Sequence, residues 1–560
     1  MGLGAIIQLP GRASKPGDAV QALYTCPALL LPDRFTGFIK DTALSSFFRS
    51  FAAVGSLTFL SRILGFVRDL TLAREFGANA ATDAFFVAFK IPNFMRRLFA
   101  EGAFSVAFVP VLSEYRSQRS REELKTFVDD MGGTLGLTVL LVSLVGVVAS
   151  PILVMIFAPG FWNQDQGKYE LTVDMLSLTF PYLFFITMTA FAGSILNAHQ
   201  RFWVPAFTPV LLNLSLIGCA LWLSPMMEEP VVGLAWGVLI AGIAQFLFQW
   251  PFLRRLRLLP RPRVAFHDPG VLQVMRLMVP ALFGVSVSQL NLLLDTLIAS
   301  FLISGSISWL YYSDRLMEFP VGVLGVALGT VILPNLSQRH AESSPEAFSR
   351  TLDWALRLNL LLGLPAAVGL MVLAGPMLIT LFHSEAFDSH DVAMATRSLL
   401  AYTPGLVAIM LIKILAPGFY ARQDTKTPVR IGIIAMVANM GLNLLLVFPL
   451  AHAGLALATT LSSWLNAYLL FRALVRQGIY QPDRGWGMML IRVILASLGM
   501  GGLLWWSSDV MGDWMAISAL WRVAWLSGLI LAGVGLYFLL LLAMGLRPRD
   551  FRARNLSAEN

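Results

Sequence analysis

Charge is what this 560-residue chain has least of for its length. Asp, Glu, Lys and Arg make up 13% of it, against 57% apolar residues, roughly half the charged share of a soluble domain (~25%). That composition excludes intrinsic disorder, which needs high charge and low hydrophobicity, and fits a soluble multidomain enzyme poorly. Cysteine is nearly missing. Cys26 and Cys219 cannot build a disulfide framework or a cysteine-rich zinc site. Six scattered histidines form no HExxH helix. There is no Walker motif, no nucleotide fold and no arrangement that argues for a glycosyltransferase or phosphatase. These absences point to transport without covalent chemistry and without an organic cofactor.

What is present is a series of apolar runs. A membrane-crossing helix needs about 20 residues, and the predicted spans are 46–68, 83–110, 131–157, 171–196, 204–225, 230–252, 276–300, 308–335, 354–382, 393–417, 429–449, 452–473, 487–507 and 518–545. The connections "EYRSQRSREELK", "RRLRLLPRPR", "RQDTKTPVR", "RALVRQG" and the tail "RPRDFRAR" are basic, whereas "FWNQDQGKYE", "SPMMEEP", "HSEAFDSHD" and "SSDVMGD" are neutral or acidic. The two kinds alternate. The positive-inside rule then predicts both termini in the cytoplasm. The formal charge of +8 sits mostly between apolar segments, which suits anionic lipid headgroups and not nucleic acid. Residues 1–44 read as a flexible cytoplasmic extension or a wrongly chosen start. Residues 547–560 read as a cytoplasmic tail.

The body is duplicated. "FVPVLSEY" is echoed by "ILPNLSQR", "ASPILVMIF" by "AGPMLITLF", Pro181 by Pro404 and Pro205 by Pro428, at offsets of 224, 225, 223 and 223 residues. Six helices per unit make the repeat parallel, with its axis along the membrane normal. The predicted fold is therefore an all-α polytopic membrane protein of fourteen transmembrane helices. Two six-helix lobes, 45–255 and 276–475, surround a central cavity, a basic cytoplasmic linker covers 256–275, and two further helices lie in 476–546. Such lobes suit alternating access.

Charges interrupt the apolar runs, and an intramembrane charge faces a cavity or a partner. The first helix carries Arg62, Arg68 and Asp69, with Arg74 in the turn beyond. The second carries Asp83, Lys90, Arg96, Arg97 and Glu101. The eighth carries Ser308, Tyr311, Tyr312, Asp314, Arg315 and Glu318. At helical spacing Arg97 and Glu101 share a face, and Arg315 and Glu318 pair. Arg74 and Asp83 fall near a membrane boundary, where snorkelling is cheap. Cations from both lobes predict an anionic cargo, and the arginine fork matches phosphate. Asp295 in the seventh helix is protonated, paired with an arginine or part of a cation site that Asn439, Asn443 and Thr459 complete. Lys413 is an intramembrane charge with no assigned role.

"SRILGFVRD", "ATDAFFVAFKIPNFMRRLFAEGAFSVAFVPVLSEY", "SWLYYSDRLMEFPVGVLGVALGTVILPNLS" and "LAPGFYARQDTKTP" closely resemble the bacterial lipid II flippase family (MurJ, or MviN) of the multidrug/oligosaccharidyl-lipid/polysaccharide exporter superfamily, over about residues 45–548. The resemblance implies an inner-membrane protein that moves lipid II, an undecaprenyl-diphosphate-linked peptidoglycan precursor. It implies that Arg62, Arg68, Arg96 and Arg315 hold the diphosphate. Asp83, Lys90, Glu101, Ser308, Asp314 and Glu318 would line or gate the cavity, and 487–507 with 518–545 would form a groove for the polyprenyl tail. Coupling would use sodium at Asp295, Asn439, Asn443 and Thr459, or protons, or membrane potential. Peptidoglycan-synthesis enzymes are the expected protein partners. The competing readings are a flippase for another undecaprenyl-linked saccharide and a membrane scaffold for cell-wall enzymes. A drug exporter for cations would want an acidic cavity, which these residues disfavour.

Overall fold

Backbone groups in hydrocarbon have no water to bond, so apolar runs fold into helices that satisfy their own N–H and C=O groups. A computed structural model describes residues 33–342 and 344–546, with side chains described from 54 onward except at 99–101, 281, 283–292, 324, 326–328 and 330–331. Among the described residues every regular element is helical. The expected tail 547–560 lies outside them, as do residues 1–32 of the expected extension. Met1–Ser56 and Leu57–Asn560 are separate units, and all sites below lie in the second.

The rods are α1 (Asp33–Phe76), α2 (Ala80–Gln118), α3 (Arg121–Val148, continued by Ser150–Phe157), α4 (Gln166–Ala198), α5 (Trp203–Met226) and α6 (Val232–Leu256). They continue as α7 (Pro269–Ala299), α8 (Ser306–Pro320, Val321–Gly325, Val326–Ala341), α9 (Pro345–Val372, Ala374–Phe382), α10 (Ser389–Tyr402, Gly405–Tyr420), α11 (Lys426–Leu450), α12 (His452–Arg476), α13 (Trp486–Val510) and α14 (Ala519–Ala543). Side-chain caps fix several starts. Asn79 accepts the Thr82 N–H, Ser120 and Glu123 form a capping box, and Asp268 accepts the Val271 N–H ahead of Pro269. Each predicted span falls on one rod. By length and composition, ten rods among the described residues can cross a membrane, or eleven with the pair of α10 helices bent by 42°. The sequence reading was fourteen, and the rods holding predicted spans 1, 7 and 8 are not among those ten or eleven.

The repeat is visible as matching irregularities. α3 breaks at Ala149 and α9 at Leu373, each just ahead of a proline, Pro151 or Pro376. α10 bends at Thr403–Pro404, and α4 turns at Phe180–Pro181. α2 becomes π-helical over Arg96–Phe104, beyond Pro92, and α8 over Val321–Gly325, beyond Pro320. A proline's missing N–H interrupts the i−4 ladder, and wider turns are one way to absorb that. Pairings repeat as well. α2 packs on α4, α4 on α6 and α5 on α6, just as α8 packs on α10, α10 on α12 and α11 on α12.

The chain leaves both six-helix units in the same way. α6 ends at Arg257 with a left-handed φ of 58°, and the Leu258 N–H returns to the Leu253 carbonyl at 3.0 Å. Beyond α12, Gly478 has φ of 68° and the Ile479 N–H returns to the Leu474 carbonyl at 3.0 Å. An aspartate of the unit's third rod then holds the departing strand. Asp129 of α3 accepts the Arg261 N–H at 2.7 Å. Asp353 of α9 accepts the Tyr480 hydroxyl at 2.6 Å and the Trp486 indole N–H at 2.7 Å, with Arg357 Nε 2.6 Å from its other oxygen. The two aspartates stand at the same offset as Pro110 and Pro334. At Gly133 a Cβ would lie 2.2 Å from the Arg263 carbonyl oxygen, so only glycine lets the linker cross α3 this closely.

Asp353→Ala is expected to strand the buried Tyr480 hydroxyl and the Trp486 indole donor, at about 2–4 kcal/mol. Hydrogen exchange across 477–490 should rise sharply while the α2–α6 amides stay protected. Unchanged protection there would show that the aspartate does not anchor α13.

Candidate functional site

Asp69 of α1 collects the polar groups of three rods. It is 2% exposed. Its Oδ1 accepts from Arg68 Nη2 at 2.6 Å, Arg68 Nε at 3.0 Å and the Tyr311 hydroxyl of α8 at 2.8 Å. Its Oδ2 lies 3.1 Å from Arg315 Nε. Arg68 also donates to Asn213 Oδ1 of α5 at 3.1 Å and to Tyr311 Oη at 3.1 Å. Arg315 pairs with Glu318 at 2.7 Å, as its spacing predicted, and lies over the Tyr311 ring. Two guanidinium groups thus share one buried carboxylate.

The other predicted cations stand apart from this cluster. Arg62 is exposed, with Nη1 2.5 Å from where a Cβ on Gly322 of α8 would stand. Arg96 is half-buried and donates to Asn93 Oδ1 at 2.9 Å. Lys90 donates to Thr296 Oγ1 of α7 and lies within coulombic reach of Asp295 and Asp314. The Glu101 side chain lies outside the described residues. The segment that carries Arg97 and Glu101 is π-helical over Arg96–Phe104.

Asp83 is not a snorkelling boundary residue. It is 1% exposed and forms a second buried centre. Its Oδ2 accepts from Lys168 Nζ of α4 at 2.9 Å and from the Gly305 N–H at 2.8 Å, and its Oδ1 from the Ser308 N–H at 2.9 Å and hydroxyl at 2.7 Å. Asp83 and Ser308, both predicted, therefore meet directly and join α2 to the start of α8. Neighbouring groups extend this contact. Gln164 Nε2 reaches the Phe301 carbonyl at 2.8 Å, and exposed Arg74 reaches the Leu381 carbonyl at 2.9 Å. Phe86 stacks on Tyr311 with centroids 4.1 Å apart, and Tyr312 packs on Phe382 and Phe387.

The residues expected to hold a coupling cation form a hydrogen-bonded chain. Asn443 Nδ2 donates to Asp295 Oδ1 at 2.7 Å and to Asn439 Oδ1 at 3.1 Å, and Asn439 Nδ2 donates to Ser462 Oγ at 3.2 Å. Asn443 Oδ1 is buried without a donor. A carboxylate beside amide oxygens, one of them orphaned, is the donor set of a hard cation. The Thr459 hydroxyl donates to the Leu455 carbonyl of its own helix at 3.1 Å, one turn away from this chain.

Sequence reasoning missed Asp69 as the centre, together with Asn213 and Lys168 as partners. An acidic residue directly after Arg68 was a usable signal for Asp69. Lys168 lay in a connection read as neutral or acidic.

Over residues 72–525 the chain matches the family described as Lipid II flippase MurJ. It is 50% identical over 468 residues to a probable lipid II flippase MurJ of Vibrio cholerae, covering 82% of this chain and 89% of that one. To the lipid II flippase MurJ of Burkholderia cenocepacia it is 43% identical over 468 residues, covering 82% and 90%. A solved structure of a lipid II flippase MurJ in an inward closed conformation superposes with a TM-score of 0.74 at 27% identity, covering 89% of this chain and 99% of that one. An inward-facing MATE family transporter of the MOP superfamily shares the fold, with a TM-score of 0.63 at 14% identity, covering 76% and 98%.

Proposed function

The chain belongs to the lipid II flippase MurJ family, and on that premise we propose that it carries lipid II from the inner to the outer leaflet of the bacterial inner membrane by alternating access. It does so without covalent chemistry on the cargo. Both termini lie in the cytoplasm. Lobes 45–255 and 276–475 rock about the cargo, and α13 with α14 holds the polyprenyl tail. The observation that carries this reading is the sharing of Asp69 by Arg68 and Arg315. Asp69 is the one carboxylate buried between the two guanidinium groups, Glu318 on Arg315 being exposed, and a diphosphate can take its place bidentately. Cargo binding then frees Asp69 and loosens the link between α1 and α8. Arg62 and Arg96 add positive charge. The Asp83–Ser308 contact closes the far side until the lobes swing. Lys90, Glu101, Asp314 and Glu318 line the path, anionic lipids bind the basic loops, and peptidoglycan-synthesis enzymes receive the product.

Membrane potential drives the cycle, since a net charge crossing the membrane couples to it. Asp295, Asn439 and Asn443 would hold a sodium ion or a proton that aids the return step. Depletion of the protein should leave lipid II facing the cytoplasm and lead to lysis. Normal outer-leaflet delivery after complete depletion, with no other flippase present, would sink this reading. Translocation at clamped potential that ignores both potential and cation gradients would defeat the coupling part alone.

A further inference from the structure

Lys413 lies midway along the second helix of α10 and is half-buried. Its Cδ is 3.2 Å from where a Cβ on Gly325 would stand, so the side chain runs against the π-helical stretch Val321–Gly325 of α8. Its carbonyl oxygen faces Gly329 at 3.6 Å on the same measure. Pro417, four residues on, has no N–H to offer that carbonyl. The Lys413 ammonium makes no hydrogen bond or ion pair among the described residues, and neither does the Arg62 guanidinium. Arg62 approaches the same stretch of α8 at Gly322, three residues before Gly325 and about 4.5 Å of helical rise away.

The fold itself does not ask for a cation here. At the spacing that relates Pro181 to Pro404, the first unit has Ala190 where the second has Lys413. An unpaired ammonium inside a membrane bundle persists where it meets an anion in the working cycle. Arg68 and Arg315 already hold a carboxylate in this conformation, whereas Arg62 and Lys413 hold none. Glycines at 322 and 325 let the Arg62 and Lys413 side chains lie directly against this stretch of α8.

We propose that Arg62 and Lys413 form a receiving site for one phosphate of the cargo diphosphate, against Val321–Gly325 of α8, and keep hold of it when Arg68 and Arg315 take the other. This rests on the flippase reading above. The ammonium acts as a point charge, so the site is tolerant of phosphate orientation and suits a first contact. The same chemistry is offered by ordinary phospholipid phosphates, and the test separates the two sources.

The test uses the full chain in detergent, with equilibrium binding of undecaprenyl diphosphate and of phosphatidylglycerol, alongside thermal unfolding without lipid. Lys413→Met should weaken undecaprenyl diphosphate binding about tenfold, the loss of one charge-assisted contact. Lys413→Arg should stay within about twofold. Adding Arg62→Met to Lys413→Met should cost less than the product of the single changes, because both grip one phosphate. Unfolding of Lys413→Met should come at the same or a higher temperature than wild type. Unchanged diphosphate affinity in Lys413→Met would overturn the site while leaving the flippase reading intact. An equal loss for phosphatidylglycerol would overturn it in favour of a general lipid site, and earlier unfolding with intact affinity would make Lys413 structural. A wild-type chain that binds no undecaprenyl diphosphate would bring down both this site and the reading it rests on.

Discussion

Asp83→Ala is expected to abolish complementation of a depleted strain and to open the α2–α8 closure. The carboxylate is 1% exposed and accepts four bonds, from Lys168, the Gly305 N–H and both the N–H and hydroxyl of Ser308. Alanine leaves the Lys168 ammonium buried without its counter-ion, which typically costs about 3–5 kcal/mol. Part of the loss will therefore be in protein level. Lys168→Met in the same chain removes the stranded charge and should restore the level without restoring transport. The Lys168 ammonium also lies 4.1 Å from the Phe161 ring centroid, so methionine keeps an apolar contact there. Closure is read from a cysteine at Ser306, which is 0% exposed with a hydroxyl that has no partner. In a background lacking Cys26 and Cys219, that thiol should resist a membrane-impermeant maleimide when Asp83 is present and react when it is alanine. Full activity of Asp83→Ala with the thiol still protected would remove Asp83 from the gating mechanism. Asp83→Asn keeps the volume but removes the charge and one acceptor oxygen. Its amide cannot accept from four donors, so it should fail nearly as badly.

Much of this architecture can be read along the chain, because hydrophobic runs and proline positions are local signals. The fourteen runs fall on rods, and the echoed segments and the Pro181 and Pro404 pair that revealed the repeat also mark its breaks at Ala149 and Leu373 and its bends at Pro181 and Pro404. The Arg315–Glu318 pair was legible for the same reason, being one turn apart. Helical wheels do not foresee where the backbone leaves the α-helix, as over Arg96–Phe104. They also cannot find partners remote in sequence. Arg68 meets Asn213 across 145 residues and Tyr311 across 243, and Asp83 meets Lys168 across 85. Each of those pairings is set by how whole rods pack. The sequence did indicate which residues were too costly to leave unpartnered in a membrane. It could not say that Arg68 and Arg315 would share a single carboxylate, or that Arg62 would stand clear of it.

That shared carboxylate makes opposite predictions for its two kinds of partner. Arg68→Ala and Arg315→Ala each remove a guanidinium that would hold the diphosphate, so each should weaken undecaprenyl diphosphate binding by about 10–100-fold, the worth of a charged hydrogen bond. Lysine at either place keeps the charge but loses the fork and should rescue only in part. Asp69→Asn acts in the other direction. It keeps the volume and still accepts one bond, but it no longer competes as an anion for Arg68 and Arg315. The diphosphate should then bind more tightly, by about tenfold, while complementation fails because Arg68 and Arg315 no longer share a carboxylate that rejoins α1 to α8 when cargo leaves. The double change Arg68→Ala with Arg315→Ala should cost less than the sum of its parts if both contact one ligand. Arg62→Ala and Arg96→Ala, whose side chains lie outside the Asp69 cluster, should weaken binding without this coupling. Tighter binding with lost transport in Asp69→Asn cannot arise from a merely structural ion pair, whose removal would lower membrane level and leave affinity per folded molecule unchanged. If instead Asp69→Asn binds diphosphate as wild type does and supports growth, the carboxylate is only a counter-ion. The exchange of Asp69 for cargo would then play no part in the cycle.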